Sequence, residues 1–362
     1  MVDINEVMPI DNIDDWDMRI KRQDAAWRRE IIDRPVVDLT FFEYNPDYPF
    51  PEKQHASFED LWLDTDFQVK LWSAIAMSTC CMGDALPRVM PNLGPDFFAA
   101  CYGGRLRFEQ DTSFIEPFLS NWDDAEKLSF EWNNPYFLKL EEQYAGFLEA
   151  GKNKFYVSWP DIHPGADCLA GFRGPSSLAM DLYDNREHVK LMLKKVTGDF
   201  FRLYDYYYDK LTKAHQPCTG WPGIVSTYKW HVPSNDFSYM ISPNDFNEVF
   251  LEGLREENRY MEANVHHMDG PGCMRHLDSL LAIDELEMIQ WVHGAGRGRA
   301  SDYMDLYKKI QAAGKGIQMM EVAFDELDIL MEGLKPEGVW MHVDVAGRDE
   351  AEAVLKKFNK WK

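Results

Sequence analysis

His267 and Asp269, two side chains able to move protons or hold a metal, stand two residues apart in the stretch NVHHMDGPG at 264–272. If the apolar run that carries them is a β-strand, residues i and i+2 leave it on the same face. The pair would then bind zinc through nitrogen and oxygen, or pass a proton. A competing reading has Asp269 cap the Gly270-Pro271-Gly272 turn and His267 bond to backbone. His266 faces the opposite way and reads as structural.

Similar groups close other apolar runs: Asp161 and His163; His231, Asp236 and Tyr239; His293; Glu321; His342 and Asp344. Alone, each such histidine reads as a satisfied structural group. With His267, five of the ten histidines close such runs, and they converge only if the runs are neighbouring parallel strands. Pattern and breakers place strands at 35–42, 86–93, 154–159, 224–230, 264–268, 288–292, 316–322 and 339–343. Helical periodicity fills the intervals, with a helix at 58–80, a long one at 185–213, and one opened by Ser242 as cap and Pro243 at its first position. Residues 103–111 read as an inserted hairpin. The aromatic stripe Phe200, Phe201, Tyr204, Tyr207 and Tyr208 is core or a homodimer face. Eight strands alternating with helices predict a (β/α)₈ TIM barrel, residues 34–362, behind an N-terminal helical extension, residues 1–33. Active sites of such barrels lie at the strands' C-terminal ends, where the groups above fall. An open doubly wound sheet is the alternative. The GAGRG at 294–298 has the wrong form for a dinucleotide loop.

Composition narrows the partners. The chain carries 38 Lys+Arg against 61 Asp+Glu, a net charge of −23, which disfavours nucleic acid and anionic membranes. Aromatic residues are 14% of the chain, enough for a dense core and some pocket lining. The six cysteines, at 80, 81, 101, 168, 218 and 273, form no CxxC pair and predict reduced thiols in the cytoplasm. The acidic N-terminus lacks the apolar segment of a signal peptide, and no apolar run reaches the roughly 18 residues of a membrane span.

Several stretches resemble the uroporphyrinogen decarboxylase superfamily, which includes cobalamin-dependent methyltransferases. They are Arg34-Pro35-Val36-Val37 leading into the first strand, SNDFSYMISPNDFNEVF at 234–250, the HHMDGPG turn and DEAEAVLKK at 349–357. True decarboxylases hold porphyrinogen carboxylates with an R-Q-A-G-R element after the first strand. Here TFFEYNPDYPF at 40–50 has no arginine, so the resemblance favours the methyltransferase branch. Members of that branch carry H-x-C-G and bind zinc through His, Cys and a later Cys. His267 matches the His, Asp269 stands in the Cys position, and no cysteine follows Cys273. A thiol acceptor therefore loses support.

What the resemblance implies is a corrinoid-dependent methyltransferase of anaerobic O-demethylation. It would move a methyl group from a small, methoxylated aromatic donor to the Co(I) of a separate corrinoid protein. The chain has no D-x-H-x-x-G motif, so a partner must carry the cobalamin. His267 and Asp269 would be catalytic, acting on the leaving oxygen. Trp159, Trp230 and Tyr239 would sandwich the ring, with His163, His231, Asp236 and His293 lining the pocket. Zinc, where used, would sit on His267 and Asp269 with Glu321 or His342 completing the set. The alternative on the same barrel is decarboxylation of a small aromatic or heterocyclic acid, with Arg88, Arg173, Arg297 or Arg299 holding the carboxylate.

Overall fold

Short apolar runs broken by Gly and Pro become strands, and the longer amphipathic runs become helices, in a computed structural model that describes residues 1–362. The result is a mixed α/β fold around a seven-stranded sheet. Across the sheet the order is Thr79–Gly83, Val36–Phe42, Val339–Asp344, Gly316–Ala323, Met288–Val292, Ala263–Asp269 and Trp230–His231. Every adjacent pair is parallel except the first, where Thr79–Gly83 runs antiparallel to Val36–Phe42.

Strand structure occurs at all eight expected places, but the hydrogen-bonded sheet is open, not the closed barrel that eight strands predict. Two physical causes are visible. The free edge of Val36–Phe42 is taken by the antiparallel Thr79–Gly83 strand, so the next parallel strand has no edge to join. That next strand shrinks to Arg88–Val89, flanked by Pro87 and Pro91, which lack the N–H a ladder needs. It pairs instead with Tyr156–Val157 as a separate parallel ribbon. Beyond the ribbon, Trp159 N donates to Thr219 O at 3.1 Å and Val157 N to the Gln216 side chain at 2.9 Å. The expected strand at 224–230 splits into Val225–Ser226, antiparallel to Cys218–Thr219, and the Trp230–His231 edge.

The Trp16–Trp27 helix plugs the underside of this assembly. Gln23 is fully buried; it donates to Asp84 O at 2.7 Å and accepts from Val225 N at 2.6 Å. Trp27 is buried 5.7 Å from Trp230, which meets Trp159 edge-on at 4.3 Å. The long helix Arg186–Lys213 buries Phe200, Tyr204 and Tyr207 in the main core, and Phe201 stacks on Tyr260 at 3.9 Å. The aromatic stripe is thus intramolecular packing. Residues 58–80 form two helices, Phe58–Leu63 and Thr65–Met77, because Asp64 caps the second through Phe67 N. The inserted hairpin pairs Arg105–Phe108 with Ser113–Glu116. Ser242 caps the next helix through Asp245 N. No helix is long and apolar enough to cross a membrane, and all six cysteines are free.

One buried charge ties three of these elements together. Asp84, fully buried, receives Val37 N at 2.9 Å, both terminal nitrogens of Arg34, and Arg22 at 3.3 Å. Helix, first strand and the turn after Thr79–Gly83 therefore share one carboxylate. Removing one partner of such a network leaves uncompensated buried charge, which costs roughly 3–5 kcal/mol. Asp84→Ala should lose about that much stability in urea unfolding. A loss below about 1 kcal/mol would show that Arg34 and Arg22 find water instead.

Candidate active site

In-register parallel strands put a row of side chains on the same face, and one such row carries the site's polar groups. His267 is level with Gln290, Gln290 with Gln318, and Gln318 with Trp340. Pro222 O, which can only accept, takes a hydrogen bond from Gln318 Nε2 at 2.8 Å. Gln318 Oε1 is thereby turned toward Gln290 Nε2, which donates to it at 2.8 Å. That leaves Gln290 Oε1 facing His267 Nδ1 at 2.6 Å. The neutral imidazole must therefore carry its proton on Nδ1 and present a lone pair at Nε2. Nε2 lies 4.0 Å from Asp236 Oδ1, and the ring meets Trp221 edge-on at 5.0 Å.

Trp221 is also a wall of a cavity of about 300 Å³. Its polar lining includes Asp38, Arg88, Asn92, Ser158 and His342, and its apolar lining includes Trp72, Ile75 and Met90. Asp38 Oδ2 accepts from Trp340 Nε1 at 2.9 Å, while its Oδ1 is buried without a partner. Burial pushes the Asp38 carboxyl up to about 7, against the pull of Trp340 and Arg88. Burial also lowers His342, with the Arg88 charge adding to it.

An open cleft of about 480 Å³ is lined by His163, Asp167 and Asp236; His267 itself lines neither space and touches them through Asp236 and Trp221. Ligand atoms of these three lie within 4.8 Å of one another. His163 bonds Asp161 at 2.9 Å and Ser234 Oγ at 3.0 Å. Burial opposes its charged form, but Asp161 and Asp167 outweigh burial and hold it well above its ordinary value. Asp167 accepts from the backbone N–H of Asp236 and Phe237 and from Ser234 Oγ. Burial and the Asp167 charge push Asp236 up to about 6, with Asp269 adding to the rise and His267 opposing it. The Asp236 side chain keeps 47% exposure, so water screens part of that effect.

The expected site residues thus part company. His163, Asp236 and His267 come together. Asp269 is exposed as the last residue of its strand and acts on Asp236 through its charge. Tyr239 is half-exposed and lies on the Gly270–Gly272 turn; a Cβ at Gly272 would strike its ring at 2.3 Å. Trp159 and Trp230 do not sandwich a ligand, because both are buried against each other and Trp230 Nε1 is spent on Cys218 O. His231 is buried beside Phe200, 3.4 Å from Glu257, and burial drives it down to about 3. His293 stacks on Tyr303 at 5.9 Å and lines neither space. Glu321 is exposed at φ 55°, where the sheet register breaks between Met319 and Val322.

The residues expected to hold zinc do not fit it as a set. No three of His267, Asp269, Glu321 and His342 offer ligand atoms within 4.8 Å of one another. The group that does converge, His163 with Asp167 and Asp236, has its imidazole held protonated and Asp167 occupied by backbone and hydroxyl donors. A cation there would compete with a proton and three hydrogen bonds.

Several groups that build the site were missed: Asp38, Ser158, Asp167, Trp221, Gln290 and Gln318. Their signals were present. Asp38 is an acid inside the apolar run VVDLTFF, and the two glutamines are lone polar residues at matching points of MIQWV and GIQMM. Asp167 follows His163 by four residues, at the start of the Gly165–Arg173 helix.

No family model matches the chain, and no curated protein matches it in sequence. Among solved structures, a methyltransferase from Methanosarcina mazei superposes with a TM-score of 0.59, covering 94% of this chain and 98% of that chain at 10% identity. At that identity the likeness is one of fold.

Two outcomes are expected from this geometry. Nitrogen-15 NMR of the neutral protein should find the Nδ1–H tautomer at His267, and Gln318→Leu should loosen that preference; an Nε2–H tautomer in the wild type would contradict the amide chain. Asp38 holds its proton in the fold up to about 7, whereas its ordinary value is 3.8. Its stability contribution is therefore complete below the ordinary value and is lost as pH rises through about 7. Asp38→Asn, which keeps an acceptor for Trp340, should show a smaller drop in Tm than wild type between about pH 5 and about pH 8. Parallel curves would place the Asp38 titration elsewhere.

Proposed function

We propose that this chain is a corrinoid-dependent methyltransferase that takes the methyl group of a small methoxylated aromatic and delivers it to the Co(I) of a separate corrinoid protein. The observation that carries the reading is the His267 imidazole, oriented by Gln290 with Nε2 free, set between Asp236 and Trp221, which is a wall of the partly open cavity of about 300 Å³. The fold likeness to a methyltransferase supports it. We read the open sheet and the Arg88–Val89/Tyr156–Val157 ribbon as two arcs of one distorted barrel of the uroporphyrinogen decarboxylase type, joined across Trp159 and Thr219. Its cofactor demand is met by the partner, and no step is assigned to zinc.

In this reading the donor ring lies in the cavity against Trp72 and Trp221, where apolar and aromatic surface replaces water. The methyl carbon faces outward to the acceptor. A Co(I) corrinoid brought by the partner would supply the electron pair that takes the methyl group, and the departing phenol oxygen would keep the pair of the broken carbon–oxygen bond. A phenolate leaves poorly unless it is protonated. His267 passes that proton through its free Nε2: Asp236, 4.0 Å away and holding its own proton up to about 6, supplies it, while Nδ1–H stays on Gln290. Asp269 assists by its charge. Cys273, the cysteine nearest in sequence to this strand end, is not an activated thiolate, because burial pushes it above its ordinary value.

The test mixes enzyme, chemically reduced cobalamin and a panel of methoxylated aromatics, and follows methylcobalamin by absorbance. Losing general-acid catalysis costs about 10²–10⁴ in rate, so His267→Ala should fall by at least the lower factor while keeping its Tm. Asp236→Asn should shift the pH profile with a smaller loss. No methylcobalamin from any donor, with CO₂ released from an aromatic acid, would replace this reading with decarboxylation.

A further inference from the structure

Four arginines could in principle hold a substrate carboxylate, and the structure separates them. Arg173 is committed to Asp181 and to the carbonyls of Leu119 and Ser120. Arg299 pairs with Asp325 and Glu326, and Arg297 is exposed on the loop after Met288–Val292. Arg88 differs from all three. It lies inside the cavity of about 300 Å³, forms no side-chain hydrogen bond, and has no carboxylate within the 4.0 Å of an ion pair. Its guanidinium packs on the backbone at Gly223, where an added Cβ would come within 2.9 Å of Nη2. Gly223, at φ 93°, is thus the residue that leaves this arginine room.

A guanidinium cannot shed its charge as a buried lysine can, so it must find an anion. Buried charges in folded proteins are paired, and an unpaired one costs several kcal/mol. The cavity holds two more unused groups. Ser158 Oγ is buried without a partner, and so is Asp38 Oδ1. Both residues line the same space as Arg88. Trp72 and Trp221 line the same space.

We propose that Arg88 is the seat of a carboxylate on the substrate, with the Ser158 hydroxyl as second donor, so that the ligand of this cavity is a small aromatic acid. The inference rests on the cavity being the substrate pocket, as in the methyl-transfer reading, and names the class of donor: a methoxylated benzoic acid, not a neutral aryl ether. A planar carboxylate matches the guanidinium fork with two parallel hydrogen bonds. A dianion such as a phosphate ester would meet one cation and no other Lys or Arg in the lining. Asp38 does not repel the carboxylate, because burial keeps its own carboxyl protonated up to about 7. In that form its free oxygen side can donate as well. The chain's net charge of −23 disfavours non-specific anion binding, so an acid would rely on this local cation.

Titration calorimetry with benzoate, 4-methoxybenzoate and anisole on wild type, Arg88→Gln, Arg88→Lys and Ser158→Ala decides the matter. The acids should bind wild type at least about tenfold more tightly than anisole. Arg88→Gln should erase that preference without weakening anisole, Arg88→Lys should keep part of it, and Ser158→Ala should lose a smaller part. Anisole binding serves as the check that the pocket is intact, and if Arg88→Gln does not fold, Arg88→Lys carries the comparison. Equal affinity for acid and ether, no binding of any acid, or acid binding untouched by both Arg88 variants would overturn the proposal. The cobalamin assay keeps the two readings apart. Acids that bind through Arg88 but never yield methylcobalamin defeat methyl transfer and leave this inference standing. Methylcobalamin formed from anisole as readily as from 4-methoxybenzoate does the reverse.

Discussion

A proline carbonyl has no proton to give, and that fact sets the orientation of the candidate site. Pro222 forces Gln318 to donate, Gln318 forces Gln290 to donate, and Gln290 is left with only an oxygen for His267. Each bond is buried or nearly so, where a lost partner costs about 1–3 kcal/mol, so the chain has one low-energy direction. It also crosses three adjacent parallel strands, tying side-chain polarity to strand register. A one-residue slip of Met288–Val292 would turn Gln290 to the other face and leave two buried amide groups and an imidazole unmatched. The register that builds the sheet and the tautomer that serves the chemistry are therefore held by the same bonds.

The two arginines near the first strands illustrate how burial sorts structure from function. Arg34 is buried and Arg88 is partly buried. Arg34 is saturated by Asp84, which also receives Arg22 and Val37 N, and the cluster stitches helix to strand. Arg88, on the neighbouring parallel ribbon, is left without a partner beside an acid that prefers its proton. The same residue type thus has opposite consequences in the two places. A closed network contributes to folding, whereas an open one draws stability away from the empty protein and returns it when an anion arrives.

Much of the architecture was legible in the sequence because strand runs and breakers are local signals. The spans around residues 36–42, 263–269, 288–292, 316–323 and 339–344 follow from apolar runs of the right length. Closure was not legible. It fails through a non-local event, the capture of the first strand's edge by TCCMG at 79–83, which reads as the end of a helix rather than as a strand. The site was legible in part. His163, Asp236 and His267 are legible because they lie near or shortly after apolar strand runs, while Trp159 and Trp230 are not, because an aromatic beside a strand looks the same whether it lines a pocket or fills a core. The glutamines were passed over because attention went to groups that titrate. Their role, fixing a proton's position without moving one, has no signature until the strands are set side by side.

The captured edge also divides the protein mechanically. Across most of the sheet, main-chain ladders join neighbour to neighbour. Between Thr79–Gly83 and Arg88–Val89 no ladder pairs the strands, and the cavity is lined from both banks, by Thr79 and Cys81 on one side and Arg88 and Val89 on the other. What holds the two banks is the 84–87 turn, anchored through Asp84, and side-chain packing. The pocket thus sits on a line where backbone pairing is replaced by side chains, so its width is set by packing, whereas the row that aims His267 is set by strand register.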